Sequence, residues 1–395
     1  MKYREDKYGN RLSVLGFGCM RFKKKMGRIN MADAERQVMS AFRNGVNYFD
    51  TAFIYPGSEA AIGEIFEKNN IRDQVYIATK LPPQLIRSTE ILDKLFNEQL
   101  KRLRTDHIDF YLMHMMADIK VWERLKSIGI EKWIEDKKAS GAIRHIGFSY
   151  HGKSDMFCKI IDAYDWDMCL IQYNYMDEHT QAGRKGLMHA HEKGVPVMIM
   201  EPLRGGRLVN NLPAEAKEIF AGHPVQHTPA QWAFRWLWNQ PEVTVVLSGM
   251  NSDDMVADNI KTASETEIGE LTPEDEEMLK RVVGAINSKM KVGCTGCEYC
   301  MPCPQKVNIS GTFSAYNRHF SDGSFAGFRE YVKCTAPKQF APASMCIGCG
   351  KCEKHCPQGI EIRKQLKEAE KVLEVPAYKA LNKITSAFKN KTFNL

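Results

Sequence analysis

The sequence has no apolar run that approaches the roughly 20 residues needed to span a bilayer as a helix. The segment from Met1 to Lys7 is mostly polar and lacks the apolar stretch of a secretory signal peptide. No aromatic-and-basic nucleic-acid-binding module is visible, and a formal net charge of +7 is modest for 395 residues. These absences predict a cytoplasmic protein with neither a membrane nor a nucleic acid as its partner.

What is present fits a globular protein with an extensive core. Hydrophobic residues make up 44% of the chain and charged residues 26%, which is typical of a globular composition, and the length exceeds that of one ordinary domain. Twelve cysteines without an export signal indicate a reducing compartment. In such a compartment we expect thiolates to hold metal rather than to form disulfides.

Short apolar runs alternate with amphipathic stretches from Met1 to about Gly284, a pattern typical of repeated βα units. A β-hairpin is predicted first, over Tyr3–Leu15 around the turn Gly9-Asn10. The predicted strands are Leu15–Cys19, Tyr48–Thr51, Val75–Thr79, Ile108–Met113, His145–Ser149, Cys169–Tyr173, Val197–Met200 and Val243–Leu247. The predicted helices between them include Ala32–Asn44, Glu59–Lys68, Thr89–Arg104 and Pro229–Asn239. This order favours an α/β fold, a (β/α)8 TIM barrel, over an open doubly wound sheet, because no G-x-G-x-x-G follows the first strand.

Two cysteine runs near the C-terminus share a spacing of two residues between most neighbours, and each continues with Pro-Gln-x-Val/Ile-x-Ile. Their cysteines are Cys294, Cys297, Cys300 and Cys303, followed by Cys346, Cys349, Cys352 and Cys356. A zinc site needs only two such pairs, so the third closely spaced cysteine of each run exceeds what zinc requires. The second run resembles, position for position, the one with which bacterial ferredoxins hold iron, in which three thiolates hold one cluster and the fourth, followed by proline, reaches the other cluster. We therefore expect two [4Fe–4S] clusters, with a zinc ribbon or disulfides as the alternatives.

The first run departs from the ferredoxin pattern, because two residues rather than three separate Cys300 from Cys303. Either Cys303 is not an iron ligand, or a tighter turn helped by Pro302 and Pro304 brings it into place. In the first case Cys334 is the substitute ligand, and otherwise it is a small buried hydrophobe. The same buried role is expected for Cys19, Cys158 and Cys169.

The chain divides, on this interpretation, into a barrel over residues 1–286 and an iron–sulfur module with a helical tail over 287–395. A further helix is predicted from Leu271 to Asn287, with Thr272 as its N-cap and acidic residues in its first turn. The segment Asn308–Met345 between the two cysteine runs has no layout that its pattern predicts. An amphipathic helix is expected in the tail, from Lys371 to Lys391.

Residues suited to acid–base chemistry stand at the ends of three consecutive predicted strands, where a (β/α)8 barrel carries its chemistry. Asp50 ends the second strand and Tyr55 follows it in the loop. Lys80 ends the third strand, and His114 ends the fourth. A phenol has a pKa of about 10, and a neighbouring ammonium lowers that pKa by stabilising the phenolate. A carboxylate can hold the ammonium, and a neutral imidazole can donate to a carbonyl oxygen, so these residues predict carbonyl reduction with Tyr55 as general acid.

The stretch from Asn47 to Tyr55, Asn-Tyr-Phe-Asp-Thr-Ala-Phe-Ile-Tyr, followed by Glu59 and Gly63, resembles the hallmark of the aldo-keto reductases. Residues 1–284 follow the strand motifs of that family in order. The whole chain resembles the subfamily with an appended two-cluster ferredoxin module. The resemblance implies the catalytic set Asp50, Tyr55, Lys80 and His114.

The resemblance also implies a nicotinamide dinucleotide, NAD(H) or NADP(H), as cofactor. Ser149 and Gln172 match the family's clamp on the nicotinamide carboxamide, but Tyr150 stands where simpler members carry asparagine. His151, the next residue, is expected in a surface loop. The loop 201–208 resembles the one that covers the pyrophosphate, and its two glycines permit close approach of the backbone.

Residues after the eighth strand resemble the segment that binds the adenosine half of the dinucleotide. The basic residues that grip the 2′-phosphate of NADP in many relatives are replaced here by Gly249 and Met255, so NADH and NADPH both stay open. The complete implied cofactor set is Ser149, Gln172, Pro202, Leu203, Gly205, Gly206, Ser248, Gly249, Met250, Asn251 and Asn259.

These features together predict an oxidoreductase that transfers hydride between a nicotinamide cofactor and a small carbonyl or alcohol substrate. The clusters sit awkwardly with this chemistry, because iron–sulfur clusters move single electrons. Three alternatives stay open. The clusters stabilise the fold or sense oxygen, they exchange electrons with a redox partner protein, or they indicate another redox group in the barrel. The alternative function is an iron–sulfur electron-transfer or redox-sensing protein on a reused barrel.

Overall fold

The computed structural model describes residues 1–210, 212–337 and 339–382. They form two compact units, of which the first comprises Met1–Pro202 and Gln231–Leu271. The second comprises Leu203–Ala230 and the chain from Thr272 onward. The predicted boundary after residue 286 falls within a helix of the second unit, and the division into domains 1–286 and 287–395 stays a prediction.

The first unit is built around a closed barrel of eight parallel strands in the described residues. In the part of the chain that the structure describes, the strands are β1 (Tyr3–Glu5), β2 (Arg11–Ser13), β3 (Leu15–Gly18), β4 (Lys24–Lys25), β5 (Arg28–Ile29), β6 (Tyr48–Asp50), β7 (Tyr76–Leu81), β8 (Ile108–Met116), β9 (Ile143–Tyr150), β10 (Met168–Gln172), β11 (Val197–Met200) and β12 (Val243–Ser248). The barrel runs from β3 through β6 to β12 in chain order, and β12 closes it by pairing with β3. This confirms the predicted α/β barrel. The largest shift from a predicted strand end is at β8, which ends at Met116 rather than Met113.

Helices connect the parallel strands, as crossovers of this length require. The helices of the described residues include α1 (Met31–Arg43), α2 (Ser58–Asn69), α3 (Thr89–Leu103), α4 (Ile119–Ile128), α5 (Ile130–Ala139), α6 (Ser154–Ile161), α7 (Gly183–Glu192), α8 (Arg207–Asn210), α9 (Ala214–Ala221), α10 (Pro229–Trp238), α11 (Asp253–Glu265), α12 (Pro273–Lys289), α13 (Ile309–Asp322), α14 (Ser324–Thr335), α15 (Lys351–Lys354) and α16 (Ile362–Leu373), and residues 376–382 are also helical. The four predicted helices named for the barrel correspond to α1, α2, α3 and α10.

The N-terminal hairpin of β1 and β2 is antiparallel, as its turn sequence predicts. The carboxylate of Asp6 accepts the backbone N–H groups of Tyr8 and Asn10, each at 2.9 Å. Gly9 has a φ of 80°, which a residue with a side chain rarely adopts. The turn is therefore set by local hydrogen bonds and one glycine.

Apolar side chains fill the inside of the barrel, so it is a packed core rather than a pore. Gly16 of β3 makes room for this packing, because a Cβ there would lie 2.7 Å from the side chain of Leu247. The buried residues of this interior are Leu12, Tyr48, Ala78, Phe110, Leu112, Met168, Leu170, Met198, Val245 and Leu247. A filled interior leaves the carboxyl ends of the strands as the place where polar groups can gather.

The second unit has a separate core formed by α13, α14, α16 and the loops that carry the cysteine runs. Its buried apolar residues include Val292, Val307, Ile309, Phe313, Tyr331, Leu366 and Leu373. The segment Asn308–Met345, whose layout the sequence did not predict, consists largely of α13 and α14. Buried Glu374 joins these parts, accepting the hydroxyl of Tyr331 at 2.7 Å and the N–H of Ser344 at 3.0 Å.

Helix α12 begins as its sequence predicts. The hydroxyl of Thr272 accepts the N–H of Asp275, and the carboxylate of Asp275 accepts the N–H of Thr272, which forms a capping box. No helix in the described ranges is long and apolar enough to cross a membrane. The expected amphipathic tail helix, Lys371–Lys391, falls partly in residues 383–395, which lie outside the described residues.

Gly63 generates a prediction about barrel packing, because α2 meets the backbone of α3 there. A Cβ on Gly63 would lie 2.4 Å from the carbonyl oxygen of Arg102 and 2.6 Å from the carbonyl carbon of Leu103. We expect Gly63→Ala to lower the free energy of unfolding by about 1–3 kcal/mol, the usual cost of overpacking. The measurement is urea unfolding followed by far-UV circular dichroism.

Gly284 supplies the control, since it lies in α12 with no atom within 4 Å of an added Cβ. Gly284→Ala should leave the free energy of unfolding unchanged or raise it by up to about 1 kcal/mol, the helix propensity difference. Equal unfolding midpoints for the two variants would contradict the close contact between α2 and α3.

Candidate active site and cysteine-lined cavities

A buried ion pair lies where two neighbouring barrel strands end. Asp50 is the last residue of β6, and Lys80 lies near the end of β7, with which β6 pairs in parallel. The Nζ atom of Lys80 donates to Oδ1 of Asp50 at 2.5 Å and to the carbonyl oxygen of Thr51 at 2.7 Å. The exposed fractions of Lys80 and Asp50 are only 1% and 4%. The structure therefore brings together the ammonium and carboxylate that the sequence places on different strands.

Two aromatic rings of the predicted catalytic set lie beside this pair. The ring of Tyr55 has its centroid 5.2 Å from Nζ of Lys80. The imidazole of His114 meets the Tyr55 ring edge to face, with centroids 6.0 Å apart. The four side chains thus gather in one small volume at the carboxyl end of the barrel.

Burial controls the charges in this volume. Burial, together with the neighbouring charges of Lys80 and His151, lowers the pKa of His114 well below its usual value. The imidazole is therefore neutral near pH 7 and retains one N–H to donate. Burial also raises the pKa of Asp50, an effect that the ammonium of Lys80 opposes. The positive charge of the site is consequently carried by Lys80.

A buried polar network supports Lys80 from behind. The carboxylate of Glu59 accepts hydrogen bonds from the hydroxyl of Thr79 at 2.7 Å and the side-chain amide of Gln99 at 2.6 Å. Gln99 also donates to the carbonyl oxygen of Lys80 at 3.3 Å and accepts the hydroxyl of Tyr111 at 2.7 Å. Glu59 is part of the hallmark stretch, but its position beneath the lysine was not predicted from the sequence.

Ser149 and Gln172, the residues predicted to clamp the carboxamide, differ from neighbouring Tyr150 in their hydrogen-bond partners. Ser149 accepts the N–H of Met115 at 2.8 Å, and the amide nitrogen of Gln172 donates to Asp177 at 3.0 Å. Tyr150 turns to other partners, because its hydroxyl donates to the carbonyl oxygen of Lys153 at 2.5 Å. The hydroxyl of Tyr150 is therefore already bonded to the backbone of the loop that follows β9.

His151 lies in the loop after β9, as expected, but it is half-buried rather than exposed at the surface. Its Nδ1 lies 3.1 Å from the side-chain oxygen of Gln181, whose amide in turn donates to Gln172 at 3.1 Å. Burial, opposed by the hydrogen bond to Gln181 and aided by the charge of Lys80, lowers the pKa of His151 to about 4. A second neutral imidazole therefore lies beside the predicted site. Its place directly after a barrel strand, two residues past Ser149, was the signal that the sequence offered.

The predicted adenosine segment follows β12 in the first unit. Asn259 donates to the hydroxyl of Ser248 at 2.9 Å, which ties α11 to the end of the strand. Met250 is buried, Asn251 is half-buried, and the side chain of Arg21 lies 3.1 Å from the position of a Cβ on Gly249. The atom of Arg21 nearest to that position is Cδ, and its Nη2 lies 3.9 Å from a carboxylate oxygen of Glu201.

The predicted pyrophosphate loop crosses from one unit to the other, because Pro202 ends a segment of the first unit and Leu203 begins a segment of the second. Arg204, Gly205 and Gly206 have successive positive φ angles of 47°, 66° and 86°. Within this turn the N–H groups of Gly206 and Leu208 donate to the carbonyl oxygen of Leu203 at 2.9 and 3.2 Å, so the loop satisfies part of its own backbone.

The eight cysteines of the two runs line two cavities in the second unit. Cys294, Cys297, Cys300 and Cys356 line the first cavity. Cys303, Cys346, Cys349 and Cys352 line the second, which Cys300 also touches. Burial raises the pKa of Cys300 to about 12, and Cys294, Cys297 and Cys356 contribute to that increase. The last cysteine of each run therefore faces the other run's cavity.

This arrangement fits clusters better than a single metal ion. Within the described ranges, no three His, Cys, Asp or Glu side chains converge as ligands of one ion. Four thiols around a cavity are the donor set of a [4Fe–4S] cluster. Cys334 is not among the lining residues, and its thiol donates to the carbonyl oxygen of Tyr331 at 3.3 Å within the second core.

Comparisons with known sequences agree with these observations. The sequence model of the Aldo/keto reductase family matches residues 14–283, and that of a 4Fe-4S dicluster domain matches residues 293–361. An aldo-keto reductase of Mycobacterium avium is 27% identical over 272 residues, covering 68% of this chain and 86% of its own length. L-galactose dehydrogenase of Arabidopsis thaliana is 26% identical over 279 residues, covering 66% of this chain and 86% of its own.

Solved structures share the barrel. An aldo-keto reductase from Bacillus halodurans in its holo form superposes with a TM-score of 0.59 at 23% identity, covering 71% of this chain and 96% of its own. One from Klebsiella pneumoniae, solved in complex with NADPH, superposes with a TM-score of 0.58 at 21% identity, covering 71% and 95%. With its barrel, its strand-end polar groups and the family match over residues 14–283, the chain belongs to the Aldo/keto reductase family of oxidoreductases and carries a 4Fe-4S dicluster domain after the barrel.

Proposed function

We propose that this chain transfers hydride between a nicotinamide dinucleotide and the carbonyl or alcohol group of a small molecule. The observation that carries the proposal is the buried pair of Lys80 and Asp50, with the rings of Tyr55 and His114 beside it. Reduced nicotinamide, when bound, supplies the hydride to the carbonyl carbon. The proton for the carbonyl oxygen has to come from the chain itself.

Each residue of the set has one task in that reaction. Tyr55 holds the proton at its hydroxyl and releases it to the substrate oxygen. The ammonium of Lys80 stabilises the phenolate that remains, and Asp50 keeps the ammonium charged and in place. Neutral His114 donates a hydrogen bond to the same oxygen as negative charge develops there.

The proposed cofactor-binding residues are those that the resemblance implies, and Ser149 and Gln172 hold the carboxamide. Both NAD(H) and NADP(H) remain candidates, since Gly249 and Met255 replace basic residues of many relatives. The neighbour from Klebsiella pneumoniae was solved with NADPH. Arg21, beside Gly249, is the cation of the first unit best placed to accept a 2′-phosphate.

We propose that the second unit holds two [4Fe–4S] clusters. The first is ligated by Cys294, Cys297, Cys300 and Cys356, and the second by Cys303, Cys346, Cys349 and Cys352. The crossed grouping in the two cavities supports this assignment and gives Cys303 a ligand's position despite its short spacing. All cysteines in the described ranges are free thiols, which suits a reducing cytoplasm and a one-electron redox partner.

Tyr55→Phe tests the proton donor. We expect a loss of about 10²–10⁴ in kcat, the usual worth of general acid catalysis, because the substrate oxygen loses its proton source. Binding of NADPH or NADH, followed by protein fluorescence, should persist. The assay is NAD(P)H oxidation against a panel of aldehydes and ketones.

Tyr150→Phe is the matched control. The hydroxyl of Tyr150 is bonded to Lys153, so its removal should leave kcat nearly unchanged. A Tyr55→Phe rate close to that of the unaltered protein would refute the proposed role. If dithionite-reduced protein passes electrons to an acceptor without nicotinamide and no carbonyl supports NAD(P)H oxidation, the electron-transfer alternative is correct.

His151 makes stability depend on pH. Its pKa is about 4 in the folded protein and about 6.5 in an unfolded chain, so the unfolded chain binds the proton first as the pH falls. The stability tied to the neutral ring is complete above pH 6.5 and is lost progressively down to pH 4. At 1.36 kcal/mol per pKa unit, about 2 kcal/mol is lost between pH 6.5 and 5.

Between pH 7 and pH 5, the free energy of unfolding in urea should therefore fall by about 2 kcal/mol less for His151→Gln than for the unaltered protein. His179→Gln, at an exposed position, should keep the original acid sensitivity. Equal acid sensitivity of all three proteins would show that the ring of His151 is not held neutral.

Cys303→Ser tests the cluster assignment. We expect iron and acid-labile sulfide per chain to fall by about half in anaerobically purified protein, because one of two clusters loses a ligand. Cys334→Ser should retain the full content. Unchanged iron in Cys303→Ser, with a loss in Cys334→Ser, would assign the ligand to Cys334 instead.

A further inference from the structure

Two arginines of the second unit face the loop that carries Cys294. The guanidinium of Arg207 lies 4.0 Å from the sulfur of Cys294, within hydrogen-bonding range of sulfur, and donates to it. Its Nη2 also lies 3.6 Å from the position of a Cβ on Gly296, which has a φ of 71°. A Cβ at position 296 would be in ordinary van der Waals contact with this guanidinium, so the φ angle rather than the space is what favours glycine there.

Arg204 holds the same loop by its backbone. It is only 6% exposed and donates to the carbonyl oxygen of Gly293 and to the sulfur of Met290, each at 3.4 Å. The positive φ angles at residues 204–206 turn the chain so that α8 begins with Arg207. From one turn, Arg207 thus reaches Cys294 and Arg204 reaches the residues just before it.

We infer that Arg207 sets the reduction potential of the cluster ligated by Cys294, through its hydrogen bond to the cysteine sulfur. The inference rests on the proposed cluster ligands and does not depend on the hydride chemistry. Reduction adds one electron from an external donor, and no bond forms or breaks. A guanidinium at the sulfur stabilises the extra negative charge, and hydrogen bonds to sulfur and local charge are known controls of cluster potential. Arg207 therefore raises the potential of the first cluster.

The second cavity has a different environment. Its nearest arginine, Arg363, forms a forked pair with Glu353, at 2.9 Å from Nε and 2.7 Å from Nη2. Cys349 of that cavity is exposed, whereas Cys294 is half-buried. Water is thus a main source of stabilisation for negative charge at the second cluster. Arg207, the hydrogen-bond donor on α8, contacts the first cluster's ligand only. Removing Arg207 consequently affects one cluster and not the other.

The test is a redox titration of full-length protein, purified anaerobically with its clusters, in which dithionite and mediators set the potential and electron paramagnetic resonance reports each cluster. For Arg207→Gln we expect one of the two midpoint potentials to fall by at least 59 mV, equivalent to a tenfold change in a one-electron equilibrium. The other midpoint should stay in place. Arg207→Lys, which keeps the charge but not the forked donor, should give an intermediate fall.

Arg318→Gln is the matched control. Arg318 lines, together with Arg207 and Cys294, a cavity separate from the two described above, but its guanidinium bonds to Asp322 at 3.0 Å. It should leave both potentials unchanged. Equal shifts of both clusters in Arg207→Gln, the same shift in Arg318→Gln, or no shift in either Arg207 variant would overturn the inference. Iron and sulfide counts on the unaltered protein separate this outcome from failure of the cluster proposal itself, which would appear as a chain without clusters.

Discussion

The buried ion pair of Lys80 and Asp50 is the constraint on which the barrel's candidate site depends. Moving an ammonium and a carboxylate out of water costs several kcal/mol per ion, and losing one partner of such a pair costs about 3–5 kcal/mol. The barrel holds the pair because two adjacent parallel strands bring the atoms within 2.5 Å. The network of Glu59 and Gln99 then fixes the strand end from which the lysine projects.

The same burial determines the charge of everything around the pair. Two imidazoles, His114 and His151, lie close enough to Lys80 to be influenced by its ammonium, and burial keeps the pKa of each below its usual value. A neutral imidazole donates a hydrogen bond without competing for the positive charge. The site therefore places one cation next to one phenol, which is the condition that the proton delivery proposed for Tyr55 requires.

The two units carry chemistries that differ in electron count, since nicotinamide exchanges a hydride and an iron–sulfur cluster exchanges single electrons. The chain passes directly from one unit to the other, because Pro202 ends a segment of the first unit and Leu203 begins a segment of the second. Arg207 follows within the same loop. This loop carries both the predicted pyrophosphate contacts and a donor to Cys294.

The sequence by itself determined the barrel, because hydrophobic periodicity and strand-end polar residues are local properties of the chain. It also determined the cysteine spacing that indicates clusters. That spacing also predicted that the fourth cysteine of the second run reaches the other cluster. Only the tertiary structure decided that Cys303 lines the cavity of the second run, because its short spacing left its role open. It likewise decided that His151 lies beside Lys80 and that Arg207 reaches Cys294. Those contacts depend on how strands and loops that are distant in the chain pack together, and no local pattern of residues encodes that packing.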